Sequence, residues 1–150
     1  MRVKGVAMER TETDVDEFLA SLEGERGDAM RALDARISGE LAGLERVLWE
    51  GVFWGGTEQR IIGYGAITQP RPRGAEVEWF LVGLAAQQKH VSVYVNAVDD
   101  GAYLVKAFAP RLGRVKVGSA AVSITRLDAV DLDAFDDMIR RARELTPDAR

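Results

Sequence analysis

The sequence predicts an α+β fold: a single domain with a largely antiparallel β-sheet, covered by an N-terminal helical hairpin and a C-terminal helix. Apolar residues recur at the spacing of amphipathic helices near both ends of the chain. The middle of the chain carries short runs rich in β-branched and aromatic residues, which are typical of strands. Helical and strand segments are grouped along the chain, and such grouping favours an antiparallel sheet.

The chain length of 150 residues corresponds to one domain, and a hydrophobic content of 47% is sufficient for a core. Residues 1–12 are of mixed character, and we interpret them as a flexible arm. Thr13 is a candidate N-cap of the first helix, and Gly24 is a candidate stop. A second helix is expected over residues 28–38, either ended by Gly39 or extended by a further turn through Leu41 and Leu44. The buried stripes of this hairpin are Val15, Phe18, Leu19, Leu22, Ala29, Met30, Leu33 and Ile37.

The strand region is expected to begin after the helical hairpin. Residues 45–54 predict a short strand or an irregular turn, and residues 60–68 predict a strand. Gly63 and Gly65 interrupt the second of these, and glycines inside a strand suggest a bulge or a close backbone approach. Residues 69–74 contain two prolines, which indicate an exposed hairpin loop.

Residues 76–96 predict the hairpin at the centre of the sheet. Residues 76–83 begin with alternating polar and apolar side chains and become wholly apolar. Residues 91–95 place three valines on one face, and the polar residues 87–90 form the turn between the two strands.

Residues 99–108 predict a short helix, capped by one of its leading aspartates and ended by Pro110. Residues 114–117 are expected to form a connector, and residues 120–125 the last strand. The closing helix begins after Asp131, carries acidic residues first and basic residues last, and therefore complements the helix dipole. Its apolar stripe is Leu132, Phe135, Met138, Ile139, Ala142 and Leu145, and Pro147 marks its end.

Composition excludes several kinds of chemistry. The 20 basic and 24 acidic residues give a net charge of −4, which argues against a nucleic-acid partner. The chain has no cysteine, so thiolate catalysis, iron–sulfur ligation and cysteine-based zinc sites are excluded. Met1–Arg10 lacks the apolar run of a signal peptide, and no stretch resembles a membrane span, so we expect a cytoplasmic protein.

Aromatic residues with polar tips are the first candidates for binding. They can line a small-molecule pocket, and on this basis Trp49, Tyr64 and Tyr94 are candidate ligand-binding residues. Trp54 and Trp79 belong to the same group. The alternative is that these large side chains fill the core.

Four basic side chains complete the candidate ligand-binding set. His90, the only histidine, lies beside Lys89 in the predicted turn and could transfer a proton or contact an anion; the alternative is a polar turn. Arg114 and Lys116 lie in residues 113–119, which have the glycine spacing of a phosphate loop but lack its Gly-Lys-Ser/Thr ending. The two cations could hold an anion together with backbone N–H groups, or the segment could be a turn entering the last strand.

Acidic residues at the start of the closing helix are the candidate metal ligands. Asp133, Asp136 and Asp137 supply carboxylate oxygens, which suit hard cations. A similar set occupies residues 12–17. The alternative is that both sets stabilise the N-terminal ends of helices.

Several segments resemble, in order, those of the YdhG-like family. They are DVDEFLASL, VLWEGVFWGG, IIGYGAI, WFLVGLAAQQKHVSVYV and GRVKVGSAAVSITRLDAVDLDAFDDMIRRA. The last segment is the most specific, although Gly118, Ser119 and Ala120 stand where Gly-Lys-Ser-Cys is common in the family, and Phe80 stands where proline is frequent. The resemblance implies a small α+β domain. Some family members are described as frataxin-like iron chaperones, which implies iron as a ligand of the acidic helix starts.

The leading hypothesis is a non-enzymatic binding domain for a small molecule or a protein partner. The alternative is a frataxin-like iron-binding chaperone that uses its acidic surface residues. An enzyme that uses Lys89 and His90 ranks third. The sequence leaves open whether the chain forms a homodimer.

Overall fold

The computed structural model describes residues 8–53, 57–69 and 76–150. They form an α+β domain in which helices pack on a mostly antiparallel sheet, as the sequence predicts. The helices are α1 (Val15–Ser21), α2 (Gly24–Glu40), α3 (Leu104–Phe108) and α4 (Leu132–Leu145). The strands are β1 (Glu9–Arg10), β2 (Arg46–Phe53), β3 (Thr57–Gln69), β4 (Val77–Ala86), β5 (Val91–Val95), β6 (Val98–Asp99), β7 (Ala102–Tyr103), β8 (Lys116–Val117) and β9 (Ala121–Ile124).

One sheet contains seven of these strands in the order β1-β2-β3-β4-β5-β9-β8, and all neighbouring pairs are antiparallel. Strand β4 lies in the middle, and its pairing with β5 confirms the central hairpin, with Val82 opposite Val95. The Gln87 N–H donates to the His90 carbonyl at 2.8 Å and closes the turn. Strands β6 and β7 form a separate small hairpin.

The main core lies between the helices and one face of the sheet. The apolar stripes of α2 and α4 are buried here, as the helical spacing predicts, and the three valines of β5 belong to the same cluster. Burying each such side chain stabilises the fold by about 1.5–3 kcal/mol. The side chains of the two helices that are 0% exposed are Met30, Leu33, Ile37, Phe135, Met138, Ile139 and Ala142.

Gly65 changes the face that β3 presents to the helices. Its φ of 76° is in the left-handed region, which glycine adopts readily. Consecutive residues of a strand normally point to opposite faces. Tyr64 points into the helix-side core, and a Cβ on Gly65 would also meet residues on that side, Leu81 and Leu44. On the paired strand, Leu81 and Val82 also both contribute to this core. The predicted irregularity is therefore a change of face, and the β3–β4 register continues without an extra residue.

A smaller aromatic cluster lies on the other face of the sheet. The Trp49 ring meets the Trp79 and Phe80 rings edge-on, at centroid distances of 5.4 and 5.8 Å. A Cβ on Gly63 would lie 2.6 Å from Nε1 of Trp49, so this glycine permits the indole to pack closely on the strand. The buried members of the cluster are Trp49, Ile61, Phe80 and Ala85.

The first helix is capped by Asp14, and the prediction of Thr13 as the N-cap was wrong by one residue. The Asp14 carboxylate accepts a hydrogen bond from the Glu17 N–H at 3.0 Å. The next residue, Val15, is the first buried residue of the helix.

The predicted stop at Gly24 is the first residue of α2, which begins earlier than predicted and continues past Gly39 to Glu40, as the alternative of an extended helix allowed. Arg31 reaches back and donates to the carbonyls of Leu19 and Leu22, at 2.6 and 3.0 Å, so α1 ends there. Gly27 permits the close packing of this join, because a Cβ would lie 2.5 Å from the Leu22 carbonyl oxygen.

The helix predicted over residues 99–108 was wrong in its first half. Strands β6 and β7 pair there around Asp100 and Gly101, whose φ values are 52° and 80°. Asp-Gly with two positive φ angles is a common two-residue hairpin turn. Within residues 99–108, the α-helix is confined to α3. Pro110 lies in a 3₁₀ turn that directly follows α3.

Other predicted elements are confirmed. Asp131 caps α4 by accepting from the Ala134 N–H at 3.0 Å, and Pro147 follows the end of that helix. The region predicted as a strand or an irregular turn over residues 45–54 contains the regular strand β2. The predicted final strand is β9, and the connector before it contains β8.

Some predictions fall partly or wholly on residues outside the described ranges. They concern residues 1–7 of the expected arm, Trp54, and residues 70–74 of the expected loop. The rest of the arm includes β1, which pairs with β2, and Thr11, whose N–H donates to the Leu48 carbonyl at 2.9 Å. Among the described residues, no helix is both long enough and apolar enough to cross a lipid bilayer.

Candidate functional site

Tyr64 belongs to a polar network inside the helix-covered core. Its hydroxyl donates to Oδ1 of Asp34 at 2.6 Å, and Arg46 binds both oxygens of that carboxylate at 3.0 and 2.8 Å. Ser38 donates to Asp34 at 3.4 Å, and Arg46 also binds Asp16 at 2.9 Å. We call these five residues the Asp34 network. They join α1, α2, β2 and β3.

Electrostatics in the Asp34 network favour one protonation state. Burial first, and then the negative charge of Asp34, raise the pKa of Tyr64 well above its ordinary value of 10.0. The hydrogen bond to Asp34 raises the pKa of Arg46 above its ordinary range. Tyr64 therefore stays neutral as a hydrogen-bond donor, and Arg46 stays charged. Because the groups satisfy one another, this network acts structurally.

Trp49 and Tyr94 lie away from Tyr64, on the other face of the sheet. Trp49 is 3% exposed within the aromatic cluster, and its Nε1 has no hydrogen-bond partner among the residues that the structure describes. The Tyr94 hydroxyl accepts from Nε2 of Gln87 at 3.3 Å, and burial raises the pKa of Tyr94. The three predicted aromatic residues are thus not brought together in one pocket.

A groove opens beside the first turns of α2. We call it the α2 groove; it lies between residues 23–32, the turn between β4 and β5, and the segment that begins at the end of β9. Its volume is about 800 Å³. The apolar part of its lining is Ala29, Ala32, Val91, Ile124 and Leu127.

A smaller recess continues from the α2 groove and shares three lining residues with it: Thr125, Arg126 and Asp128. Arg114 and Ala129 complete the lining of the recess, and its volume is about 410 Å³. We call it the Arg114 recess. Two of the predicted ligand-binding residues therefore meet at one connected concave surface: Lys89 in the groove and Arg114 in the recess.

The cations of the α2 groove differ in how they are held. Arg26 donates to the carbonyls of Gln87 and Gln88 and so links α2 to the turn between β4 and β5. Arg126 forms two hydrogen bonds with Asp128, at 3.1 and 2.7 Å. The pKa of Asp128 is lowered mainly by this contact with Arg126, and also by the positive charge of Arg114.

Lys89 and Arg114 form no ion pair with any residue in the part of the chain that the structure describes. Both side chains are exposed. Their charges are therefore available to a ligand.

The other two predicted basic residues do not line the described part of this surface. Lys116 is exposed on the edge strand β8, and His90 is partly buried at the end of the turn before β5. The backbone of residues 113–119 is also engaged, because the Arg114 N–H donates to the Ala129 carbonyl at 3.0 Å and the Gly118 N–H to that of Ala121 at 2.8 Å. An anion in the recess would accordingly be held by side chains.

The predicted metal ligands on α4 face arginines. Asp136 binds Arg36 at 2.6 Å, and Asp137 binds both Arg111 and Arg140 at 2.8 and 2.9 Å. Burial raises the pKa of Asp136, whereas the two arginines lower that of Asp137. Asp133 is exposed. Among the described residues, no three His, Cys, Asp or Glu side chains are grouped so that they could hold a metal ion.

Sequence reasoning missed Asp34, Arg46 and Arg126. A signal for Asp34 was present, because it continues the buried spacing of Met30 and Ile37 on α2 and an aspartate in such a stripe needs a partner. Comparisons of the chain with protein-family models, with curated proteins and with solved structures gave no match.

Proposed function

We propose that this chain is a non-enzymatic binding domain whose small-molecule ligand occupies the α2 groove and the Arg114 recess. The observation that carries the proposal is the groove itself. Its volume of about 800 Å³ lies within the usual size of small-molecule sites, roughly 300–1,000 Å³. The lining is mixed, because apolar side chains form the floor and polar or charged side chains surround it, so the ligand should carry polar as well as apolar groups.

The walls of the α2 groove are held in place before any ligand arrives. The middle of α2 is fixed to the sheet by the Asp34 network and by fully buried side chains such as Leu33. Arg26 fixes the opposite wall, because it holds the carbonyls of Gln87 and Gln88. A preformed site has less conformational entropy to lose on binding, which favours affinity.

We also propose a cytoplasmic location, in line with the composition of the chain, and membership of the YdhG-like family, in line with the segments quoted above. The iron-binding alternative has less support, because Asp136 and Asp137 are already neutralised by arginine side chains.

A thermal-shift screen of metabolites tests the proposed function. A ligand at about 100 times its Kd adds about 2.7 kcal/mol to stability, so binders should raise the Tm clearly. Ala32→Trp places a large side chain in the groove and should abolish the shift. Ala35→Trp is the matched control, because Ala35 is exposed on the same helix but does not line the groove. A ligand whose shift survives Ala32→Trp would bind elsewhere and contradict this site.

A further inference from the structure

We infer that the ligand is an amphipathic monoanion, with its carboxylate in the Arg114 recess and its apolar body in the α2 groove. This inference rests on the proposed function and adds the chemical class and the orientation of the ligand. Three features of the connected surface support it: the charge of the recess, the charge of the α2 wall and the apolar floor.

The Arg114 recess carries one uncompensated positive charge. Its ionisable lining residues are Arg114, Arg126 and Asp128. Arg126 is occupied by Asp128 through two hydrogen bonds, whereas Arg114 has no ion pair among the described residues. A guanidinium can hold a carboxylate through two parallel hydrogen bonds. A single added carboxylate would balance the recess.

The wall of the groove formed by α2 has the opposite character. Glu23, Glu25 and Asp28 line it together with Arg26, and Asp28 is paired with Arg31 at 2.9 Å, so the carboxylates outnumber the cations along this wall. Like charges repel, so an anionic group is disfavoured along this wall. The same acidic wall also disfavours a multiply charged ligand such as a nucleotide chain. The anionic end of a ligand is thereby kept away from α2. Of the two cations without an ion pair among the described residues, Arg114 rather than Lys89 has the planar guanidinium that binds a carboxylate through two hydrogen bonds, so the anion is placed in the recess.

The floor of the groove is apolar and therefore fits the apolar body of the ligand. Ala29 and Ala32 of α2 face Val91, Ile124 and Leu127 across it. Val91 and Ile124 are buried, Ala29 and Leu127 are partly buried and Ala32 is exposed, so the accessible apolar surface belongs mainly to Ala29, Ala32 and Leu127. A short alkyl or aryl body would cover this apolar surface and remove it from water. The groove and the recess share three lining residues and so adjoin each other, and the ligand spans both.

Titrations of ¹⁵N-labelled protein with octanoate and with 1-octanol test the inference. The two probes share an eight-carbon body and differ in charge. Octanoate should cause saturable shifts at residues 125–129 and bind about fivefold more tightly than octanol at low salt, because only the anion gains a charge-assisted contact. Arg114→Gln should remove that preference, and Arg114→Lys should restore part of it.

Lys106→Gln is the matched control, since Lys106 is an exposed cation on α3 away from the groove. It should leave the preference intact. Loss of the preference in Lys89→Gln but not in Arg114→Gln would overturn the inference, because the anion would then lie at the other wall.

The outcomes separate this inference from the proposed function. Equal binding of octanoate and octanol, or no binding of octanoate while the metabolite screen yields a ligand sensitive to Ala32→Trp, overturns the amphipathic-anion inference alone. If octanoate does not bind and the screen also yields no ligand of this kind, both fail. The same spectra show whether each variant is folded.

Discussion

Charged side chains lie at two places along helix α2, some on the helix and some on the segments that face it, and the two places differ in how completely the charges are paired. In its middle, Asp34 is surrounded by Arg46, Tyr64 and Ser38, and each hydrogen bond stays within the molecule. At its beginning, the helix borders a groove in which Lys89, like Arg114 in the recess beside it, has no ion pair among the described residues. A fully paired set holds the fold together, whereas an unpaired cation remains available to another molecule.

The largest effect is expected from Asp34→Ala. The substitution leaves the Arg46 guanidinium and the buried Tyr64 hydroxyl without their main partner, so the free energy of unfolding should fall by about 3 kcal/mol. Urea denaturation measures the loss. Asp28→Ala is the control, because Asp28 is paired at 2.9 Å but its side chain is 79% exposed. Equal losses in the two variants would show that burial does not distinguish them.

A smaller loss is expected from Tyr64→Phe. Asp34 keeps its two bonds from Arg46 when the phenol is removed, so unfolding should become easier by only about 1 kcal/mol. The same denaturation experiment applies, with Tyr103→Phe at an exposed site as the control. A loss as large as that of Asp34→Ala would mean that the hydroxyl, not the arginine, is the main partner of the carboxylate.

Asp136 is an intermediate case: one carboxylate oxygen binds Arg36, whereas Oδ1 is buried and has no hydrogen-bond partner in the described part of the chain. Burial raises its pKa in the folded protein above the ordinary 3.8. The folded state then binds more protons than the unfolded state, so this group makes stability fall as pH rises from about 3.8 through the folded pKa. Asp136→Asn should remove that contribution from urea midpoints measured between about pH 3 and 7.

Asp137→Asn should change the pH profile with the opposite sign. Arg111 and Arg140 lower the pKa of Asp137, so its contribution is present above the ordinary pKa of 3.8 and is lost as pH falls through the folded pKa. The substitution should therefore reduce the loss of stability in acid. Profiles that change in the same direction in both variants would contradict the assignment for Asp136.

The smallest effects on stability are expected in the groove. Lys89→Gln and Arg114→Gln remove exposed cations without partners in the described chain, so each should change the free energy of unfolding by less than about 0.5 kcal/mol. Urea denaturation checks this against Asp34→Ala. A loss above 1.5 kcal/mol in either variant would assign that cation a structural role.

The fold could be predicted because its main signals are local and periodic. Each signal lies within a few residues of sequence. Examples are the apolar stripe of α4, the aspartate that caps this helix and the valines of β5. The β6–β7 hairpin was missed because its Asp-Gly turn was read as the start of a helix, and an aspartate before apolar residues fits both interpretations.

The candidate site was harder to predict because four separate parts of the chain build it: residues 23–32, residues 88–91, Arg114 and residues 124–129. No spacing within one segment reveals such a groove. Lys89 and Arg114 were chosen as cations beside turns, and only the pairing of β5 with β9 brings their surroundings together. Asp34 was missed because an isolated aspartate in a helix is usually on the surface.

The change of face at Gly65 has a consequence for how the hairpin of β3 and β4 assembles. Ile67 and Tyr64 both reach the helix side only because the backbone reverses its alternation between them. The partner strand reverses at Leu81 and Val82, so the two reversals must coincide. If the register between β3 and β4 shifted by one residue, the two reversals would no longer lie opposite each other, and apolar side chains of both strands would point to the wrong face of the sheet. The position of Gly65 therefore favours the native β3–β4 register over registers that are shifted by one residue.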